Sequence, residues 1–194
     1  KAPEQSIEGF LGAYFSRDVH FLPEIISQLW QARDNAKQQQ DLATSQAIKI
    51  IMNSFYGVLG SGGCRFYDTR LASSITLRGH QIMKQTRQWI EQQGYQVIYG
   101  DTDSTFILLN DPLEFDEDPD EIGRALAQQI NQAWQSKLQQ EFGLACYLEI
   151  EYETHYQQFF MPTIRGTEQG SKKRYAGVTG MGEKQKLVFK GLET

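Results

Sequence analysis

The 194-residue sequence lacks the features that mark several classes of site. Its two cysteines, Cys64 and Cys146, lie far apart and belong to no CxxC pair or histidine cluster, so neither a disulfide framework nor a zinc site is expected. No run approaches the roughly 18 apolar residues of a membrane span, and no basic-then-apolar leader opens the chain at Lys1. These absences favour a cytoplasmic protein without membrane contact, in which both cysteines are buried thiols.

The formal net charge of −5 argues against nucleic-acid binding, because contact with phosphates usually needs a basic surface. However, seven acids lie within residues 111–121, which hold no lysine or arginine, and without them the balance changes from −5 to +2. The segment from Arg165 to Lys190 instead holds seven lysines and arginines against two acids. The C-terminal part of the chain can therefore present a basic face.

Hydrophobic periodicity and end signals predict an α+β fold. Four helices are expected, at Leu22–Gln40, Leu42–Leu59, about Leu71–Gln93 and Pro119–Phe142. The short link at Gln40-Asp41 predicts that the first two form an antiparallel hairpin. Strand character follows in Cys146–Met161, KRYAGVTG and KLVFKG. We expect an antiparallel sheet with helices packed on one face and the helical hairpin projecting from it.

Two carboxylates, Asp101 and Asp103, lie at the bend of a predicted β-hairpin with strands at 95–99 and 104–109. Residues two apart on extended backbone point to the same side, and like charges that close repel unless a cation or proton intervenes. Ligands that are all oxygen suit a hard ion, Mg²⁺ or Mn²⁺, better than zinc. An aspartate-rich turn formed for local hydrogen-bonding reasons is the alternative, and these residues alone leave both open.

The first two predicted helices each carry a polar stripe. Spacings of three, four and three residues define the stripe on the second helix, which comprises Gln46, Lys49, Asn53 and Tyr56. The stripe on the first helix comprises Trp30, Arg33 and Lys37. If these faces meet, three cations surround one space, which suits a polyphosphate. A solvated face is the simpler interpretation for any single residue, but the combination with the acidic hairpin favours a site for phosphates and metal together.

Three segments resemble motifs of the family B DNA polymerases. KIIMNSFYG (49–57) resembles the family's KxxxNSxYG motif, YGDTDS (99–104) its palm motif, and SKKRYAG (171–177) its KKRY-type motif. The motifs occur in the family's order. LASSIT (71–76), GHQIM (79–83), TIRG (163–166) and FKGLET (189–194) are similar to bacterial members in particular. The resemblance covers nearly the entire chain.

The resemblance implies a domain organisation. It assigns residues 1–21 to a palm-to-fingers lead-in, 22–60 to the fingers helical hairpin and 61–194 to a partial palm. No DxxSLYPS-type motif, which carries another essential aspartate in the family, occurs before Leu22, and the exonuclease and thumb domains are also missing. We therefore expect an excised fragment that does not polymerise DNA alone and binds metal weakly.

The resemblance also implies roles for individual residues. Asp103 would be the palm carboxylate that holds both catalytic ions, and Asp101 a neighbouring acid with a smaller contribution. The residues expected to bind the incoming nucleotide are Arg33, Lys37, Lys49, Asn53 and Tyr56. Those expected to contact DNA are Tyr99, Gly100, Lys172, Lys173 and Tyr175. Glu149 or Glu151 is a candidate auxiliary palm acid, and a plain exposed strand position is the simpler interpretation.

The implied function is that of a DNA-directed DNA polymerase in DNA replication or repair. It would transfer a nucleotide from a dNTP to a primer 3′-hydroxyl with Mg²⁺ or Mn²⁺, on primer-template DNA, in the bacterial cytoplasm at the nucleoid. A sliding clamp, bound through regions outside this sequence, is a candidate partner. Another palm nucleotidyltransferase, such as a reverse transcriptase, would explain the two acids but not the helix from Lys49 to Tyr56. A non-catalytic module that binds nucleic acid or a clamp also stays open.

Overall fold

The computed structural model describes residues 5–18, 20–100, 103–109, 118–162 and 174–192, with the backbone alone at residues 99, 100 and 183. The helices are α1 (Phe21–Gln38), α2 (Leu42–Leu59), α3 (Thr69–Gln92) and α4 (Pro119–Phe142). The strands are β1 (Ser6–Glu8), β2 (Tyr14–Ser16), β3 (Gln96–Gly100), β4 (Thr105–Leu108), β5 (Tyr156–Phe160), β6 (Tyr175–Thr179) and β7 (Lys186–Lys190). The predicted α+β class and its four helices are confirmed.

The described strands form three small antiparallel sheets where the sequence predicts one. β1 pairs with β2, β3 pairs with β4, and β5, β6 and β7 form a three-stranded sheet in that order. The β1–β2 hairpin was not predicted, because strands of three residues are too short to show an alternating pattern. Within the described ranges, no helix has the length and apolar character needed to cross a bilayer.

The strand character predicted over Cys146–Met161 is confirmed only in its last part, because within this segment only Tyr156–Phe160 forms a strand, β5. Upstream of β5, the side chains of Leu148 and Ile150 pack on the core. Asn131 of α4 donates from Nδ2 to the Ile150 carbonyl at 2.9 Å, and the Ile150 amide donates to Asn131 Oδ1 at 2.8 Å. A side-chain amide thus takes the place of a neighbouring strand, which explains strand-like alternation without a strand ladder.

The chain divides into two compact units, one ending at His80 and the other beginning at Gln81. In the first unit, α1 packs on α2. Gln40 adopts a left-handed conformation (φ 58°), and Asp41 then caps α2 by accepting a hydrogen bond from the Thr44 amide at 3.0 Å. A link this short between two packed helices makes them an antiparallel hairpin, as predicted.

The β1–β2 hairpin is fastened to α3 within the first unit. The Phe10 amide donates to Ser74 Oγ at 3.1 Å. Arg78 donates from Nη2 to the Glu8 carbonyl at 2.9 Å, and its guanidinium lies 5.1 Å from the centre of the Phe10 ring. These contacts join the short hairpin to a long helix, which compensates for the few ladder hydrogen bonds between three-residue strands.

The second unit is built around one hydrophobic core. The buried core residues come from α3, β3 and α4, and are Ile90, Val97, Leu126, Ile130 and Trp134. The Trp89 and Trp134 rings meet edge to face with centroids 4.9 Å apart. Ile107 of β4 packs against the same core. One face of the β3–β4 hairpin is therefore anchored on α3 and α4.

Candidate active site

The β3–β4 hairpin carries the acidic turn that the sequence predicts. Gly100 lies opposite Thr105, so residues 101–104 form the connection, which we call the acidic loop. Asp103 is exposed, and Ser104 donates from Oγ to its Oδ1 at 3.3 Å. Asp101 lies outside the described residues. The hairpin is thus confirmed, while the convergence of the two carboxylates stays a prediction.

A β-bulge lies in β3 just before the acidic loop. The pairing passes from Val97 opposite Ile107 to Tyr99 opposite Phe106, which leaves Ile98 as an extra residue. A bulge bends the strand that carries it and increases its local twist, and bulges are common beside active sites. The direction in which β3 enters the acidic loop therefore depends on this residue, which the alternating sequence pattern does not indicate.

The chemistry of the acidic loop fits a hard divalent ion. Mg²⁺ prefers oxygen ligands and commonly uses only one or two protein carboxylates. Asp103 offers an exposed carboxylate beside the Ser104 hydroxyl, and in the described ranges no lysine, arginine or histidine pairs with it. Three or more potential ligands do not gather at any point of those ranges. The described residues thus offer one exposed carboxylate at the acidic loop, Asp103, and no complete set of ligands.

Four aromatic rings form a cluster beside the hairpin, which we call the aromatic cluster: Phe106, Tyr156, Phe159 and Tyr175. Phe106, on β4, has its ring centroid 5.2 Å from that of Tyr175 on β6 and 5.0 Å from that of Phe159 on β5. Phe106 ends the segment YGDTDSTF, and Tyr175 belongs to the segment SKKRYAG. The strand that follows the YGDTDS motif is therefore in direct contact with the tyrosine of the KKRY-type motif, although the two lie far apart in the sequence.

The aromatic cluster favours the neutral, protonated form of the Tyr156 phenol. Burial, together with a hydrogen bond to Tyr175, raises the pKa of Tyr156 to about 12. Tyr175, predicted to contact DNA, is half-buried because its ring packs in this cluster.

The other residues predicted to contact DNA are only partly described. Lys172 and Lys173 lie outside the described residues. At Tyr99 and Gly100 the backbone pairs with Phe106 and Thr105, so both positions border the acidic loop.

The polar stripe predicted on α2 is exposed in the structure. Its members are Gln46, Lys49, Asn53 and Tyr56. Neither Lys49 nor Asn53 has a side-chain hydrogen bond or ion pair with any residue in the described part of the chain. Tyr56 differs, since its hydroxyl lies 2.6 Å from Thr76 Oγ1 on α3. Because Thr76 donates to the Ala72 carbonyl at 3.1 Å, the Tyr56 hydroxyl is the donor.

The cations predicted on α1 have different environments. Lys37 Nζ lies 3.8 Å from Asp34 Oδ1. This ion pair is largely exposed and therefore contributes little stability. Arg33 is half-buried, and its Nε is buried without a hydrogen-bond partner among the described residues. An unpaired buried donor on a guanidinium costs free energy. Arg33 thus has unused hydrogen-bonding capacity.

Glu149 and Glu151 are exposed, as the simpler interpretation expects, but they lie in the irregular segment before β5 rather than in a strand.

Sequence reasoning missed Phe106, Tyr156 and Phe159 as a group. The sequence gives no clear signal for the group, because residues three apart on a regular strand, such as Tyr156 and Phe159, face opposite sides. The β-bulge between Tyr156 and Gln158 alters this alternation, and the sequence pattern does not indicate it.

Comparisons with known proteins assign the chain to a family. Residues 6–194 match the model of DNA polymerase family B, and the chain belongs to that family. It is 60% identical to DNA polymerase II of Escherichia coli (strain K12) over 99% of this chain and 24% of that protein. It is 30% identical both to DNA polymerase 1 of Pyrococcus abyssi (strain GE5 / Orsay) and to the DNA polymerase of Thermococcus gorgonarius, over 98% of this chain and 23% of each relative. The chain thus spans about a quarter of the length of these relatives.

Proposed function

We propose that this chain is the fingers and part of the palm of a DNA-directed DNA polymerase. The observation that carries the proposal is the contact between Phe106 and Tyr175, with ring centroids 5.2 Å apart. This contact joins the strand that leaves the acidic loop to the strand that begins at Tyr175. It supports an enzyme that holds metal and primer-template close to each other. Exposed cations on a helical hairpin and membership of family B support the same function.

Asp103 is proposed to be a metal ligand at the acidic loop, with Asp101 as the neighbouring acid. Two bound Mg²⁺ ions would lower the pKa of the primer 3′-hydroxyl and neutralise the triphosphate. The chain's own contribution is to hold the Asp103 carboxylate at the turn of a hairpin that is anchored on one face by Val97 and Ile107. A fixed carboxylate favours a fixed ion geometry, which Mg²⁺ requires.

The cations of the helical hairpin are proposed to bind the triphosphate of the incoming dNTP. Lys49 suits this role because its ammonium is exposed and unpaired among the described residues. Lys37 needs to give up only a weak exposed pair with Asp34. Arg33 has an unused donor, and guanidinium groups bind phosphate oxygens through paired hydrogen bonds. Asn53 and Tyr56, on the same stripe of α2, are proposed to lie near the nucleotide.

DNA contact is proposed at the KKRY-type segment and at the end of β3, through the residues predicted above: Tyr99, Gly100, Lys172, Lys173 and Tyr175. The 60% identity to an Escherichia coli protein supports a bacterial, cytoplasmic origin, and we infer association with the nucleoid and with a sliding clamp from the same proposed activity.

The test is Asp103→Asn in the full-length polymerase, which keeps the size of the side chain but removes its charge. We expect primer extension to fall by on the order of a thousandfold, with unchanged affinity for primer-template in a gel-shift assay. Glu91→Gln is the matched control, because Glu91 is an exposed acid on α3 whose pair with Arg87 is a surface i,i+4 contact. Unchanged synthesis in Asp103→Asn would contradict the proposal and favour a non-catalytic module.

The 194-residue chain alone is expected not to extend a primer, because the sequence contains no DxxSLYPS-type motif to supply another palm aspartate. Primer extension by the purified chain, abolished by Asp103→Asn, would refute this expectation.

A further inference from the structure

Two tyrosines of the second unit each lie directly over a glycine. On β6, a Cβ added to Gly177 would lie 2.8 Å from Tyr156 Cε1 and still closer to Cδ1. On α4, a Cβ added to Gly123 would lie 3.1 Å from Tyr152 Cγ and still closer to Cδ2 and Cε2. Real Cβ atoms do not approach rings this closely, so each tyrosine can occupy its position only because its neighbour is glycine.

The two tyrosines differ in what they contact. Tyr156 belongs to the aromatic cluster, with its ring centroid 6.2 Å from Phe106, 5.5 Å from Phe159 and 6.1 Å from Tyr175. Tyr152 instead donates a hydrogen bond from its hydroxyl to Asp120 at the start of α4. The Tyr152–Gly123 contact also places a ring over a glycine, but among the described residues Tyr152 has no ring contact with the hairpin. A Cβ added to Gly177 would in addition lie 3.1 Å from the Gln158 carbonyl oxygen.

Phe106 connects Tyr156 to the acidic loop, because its ring contacts Tyr156 and its strand leaves the loop. It lies three residues after Asp103, in the strand that leaves the loop. The neighbouring residue Ile107 faces the hydrophobic core, whereas Phe106 meets the aromatic cluster. The strand is thus fixed on both faces, and a shift of the aromatic cluster would move it relative to the core.

We propose that Tyr156, seated over Gly177, is a positioning residue for Asp103 and acts through the ring of Phe106. The inference rests on the proposed function, in which Asp103 is a metal ligand. Mg²⁺ demands near-ideal geometry at short ligand distances, so a small displacement of the carboxylate weakens binding. Residues that orient metal ligands from outside the ligand set commonly change metal affinity by one or two orders of magnitude.

The experiment compares Gly177→Ala with Gly123→Ala in the full-length polymerase. Both variants add a methyl group at a position that a tyrosine ring contacts, so the ring must move. Both variants are therefore expected to lower the melting temperature. Only Gly177→Ala is expected to raise the Mg²⁺ concentration for half-maximal primer extension, by on the order of tenfold. Tyr156→Phe, which keeps the ring, is expected to retain the wild-type Mg²⁺ requirement, whereas Tyr156→Leu is expected to raise it.

A second measurement does not depend on activity or on bound metal. In the ¹⁵N NMR spectrum of the 194-residue chain without metal, Gly177→Ala is expected to shift the amide signals of Asp103 and Ser104, and Gly123→Ala is expected to leave them in place. If Gly177→Ala does not fold, Tyr156→Leu provides the same comparison against Tyr152→Leu.

Equal Mg²⁺ requirements in the two glycine variants, or unmoved Asp103 and Ser104 signals in Gly177→Ala, would overturn the inference. Asp103→Asn separates this failure from that of the proposed function. If Asp103→Asn abolishes synthesis while Gly177→Ala leaves the Mg²⁺ requirement unchanged, only the positioning role fails. If Asp103→Asn leaves synthesis intact, the proposed function fails and the positioning role fails with it.

Discussion

At the scale of single residues, the second unit contains a buried polar contact in its hydrophobic core. Trp134 donates from Nε1 to Thr86 Oγ1 at 3.0 Å, and the two residues are only 4% and 3% exposed. An indole N–H in such a place needs an acceptor, because water cannot replace a lost partner. This hydrogen bond therefore fixes how α4 packs on α3.

Thr86→Val removes the acceptor while it preserves the shape of the side chain. We expect the free energy of unfolding to fall by about 1–3 kcal/mol, since the indole N–H stays buried without a partner. Urea unfolding of the 194-residue chain measures the loss. Thr86→Ser, which keeps the hydroxyl and removes one methyl group, is expected to cost less, about 1 kcal/mol. A Thr86→Val variant as stable as the wild type would show that the hydrogen bond contributes nothing net.

At the scale of elements, the helices could be predicted closely and the irregular features could not. The predicted bounds of α2 and α4 agree with the structure. End signals explain this, since Asp118 caps the start of α4 and Gly143 ends it in a left-handed conformation (φ 62°). The bulge at Ile98 and the pairing of Asn131 with Ile150 depend instead on contacts between distant residues, which local patterns do not encode.

Asn131→Ala tests whether a side-chain amide substitutes for a strand beside Ile150. The change removes both hydrogen bonds to the Ile150 backbone, and we expect a loss of about 2 kcal/mol in stability. The amide of Ile150 is expected to exchange faster with solvent, as measured by hydrogen exchange. Gln132→Ala, at the exposed next position of α4, is the control. Unaltered exchange at Ile150 in the Asn131 variant would rule out this role.

At the scale of the whole molecule, the sequence predicts each part of the candidate site but not its assembly. The β3–β4 hairpin and the polar stripe on α2 follow from local patterns, and the structure shows the hairpin and the exposure of the stripe. The contact of Phe106 with Tyr175 joins residues on β4 and β6, so it required the tertiary structure. The cations belong to the unit that ends at His80 and Asp103 to the unit that begins at Gln81. That both bind one nucleotide and its metal ions therefore stays a prediction.

The most direct measurement is single-turnover incorporation of one dNTP by the full-length polymerase, as a function of dNTP concentration, for Lys49→Ala and Asp103→Asn. We expect Lys49→Ala to raise the dNTP concentration for half-maximal rate by on the order of tenfold or more, because a phosphate contact is lost. Asp103→Asn is expected to lower the maximal rate by on the order of a thousandfold. If both variants kept the wild-type maximal rate and the wild-type dNTP concentration for half-maximal rate, a shared nucleotide and metal site would be contradicted.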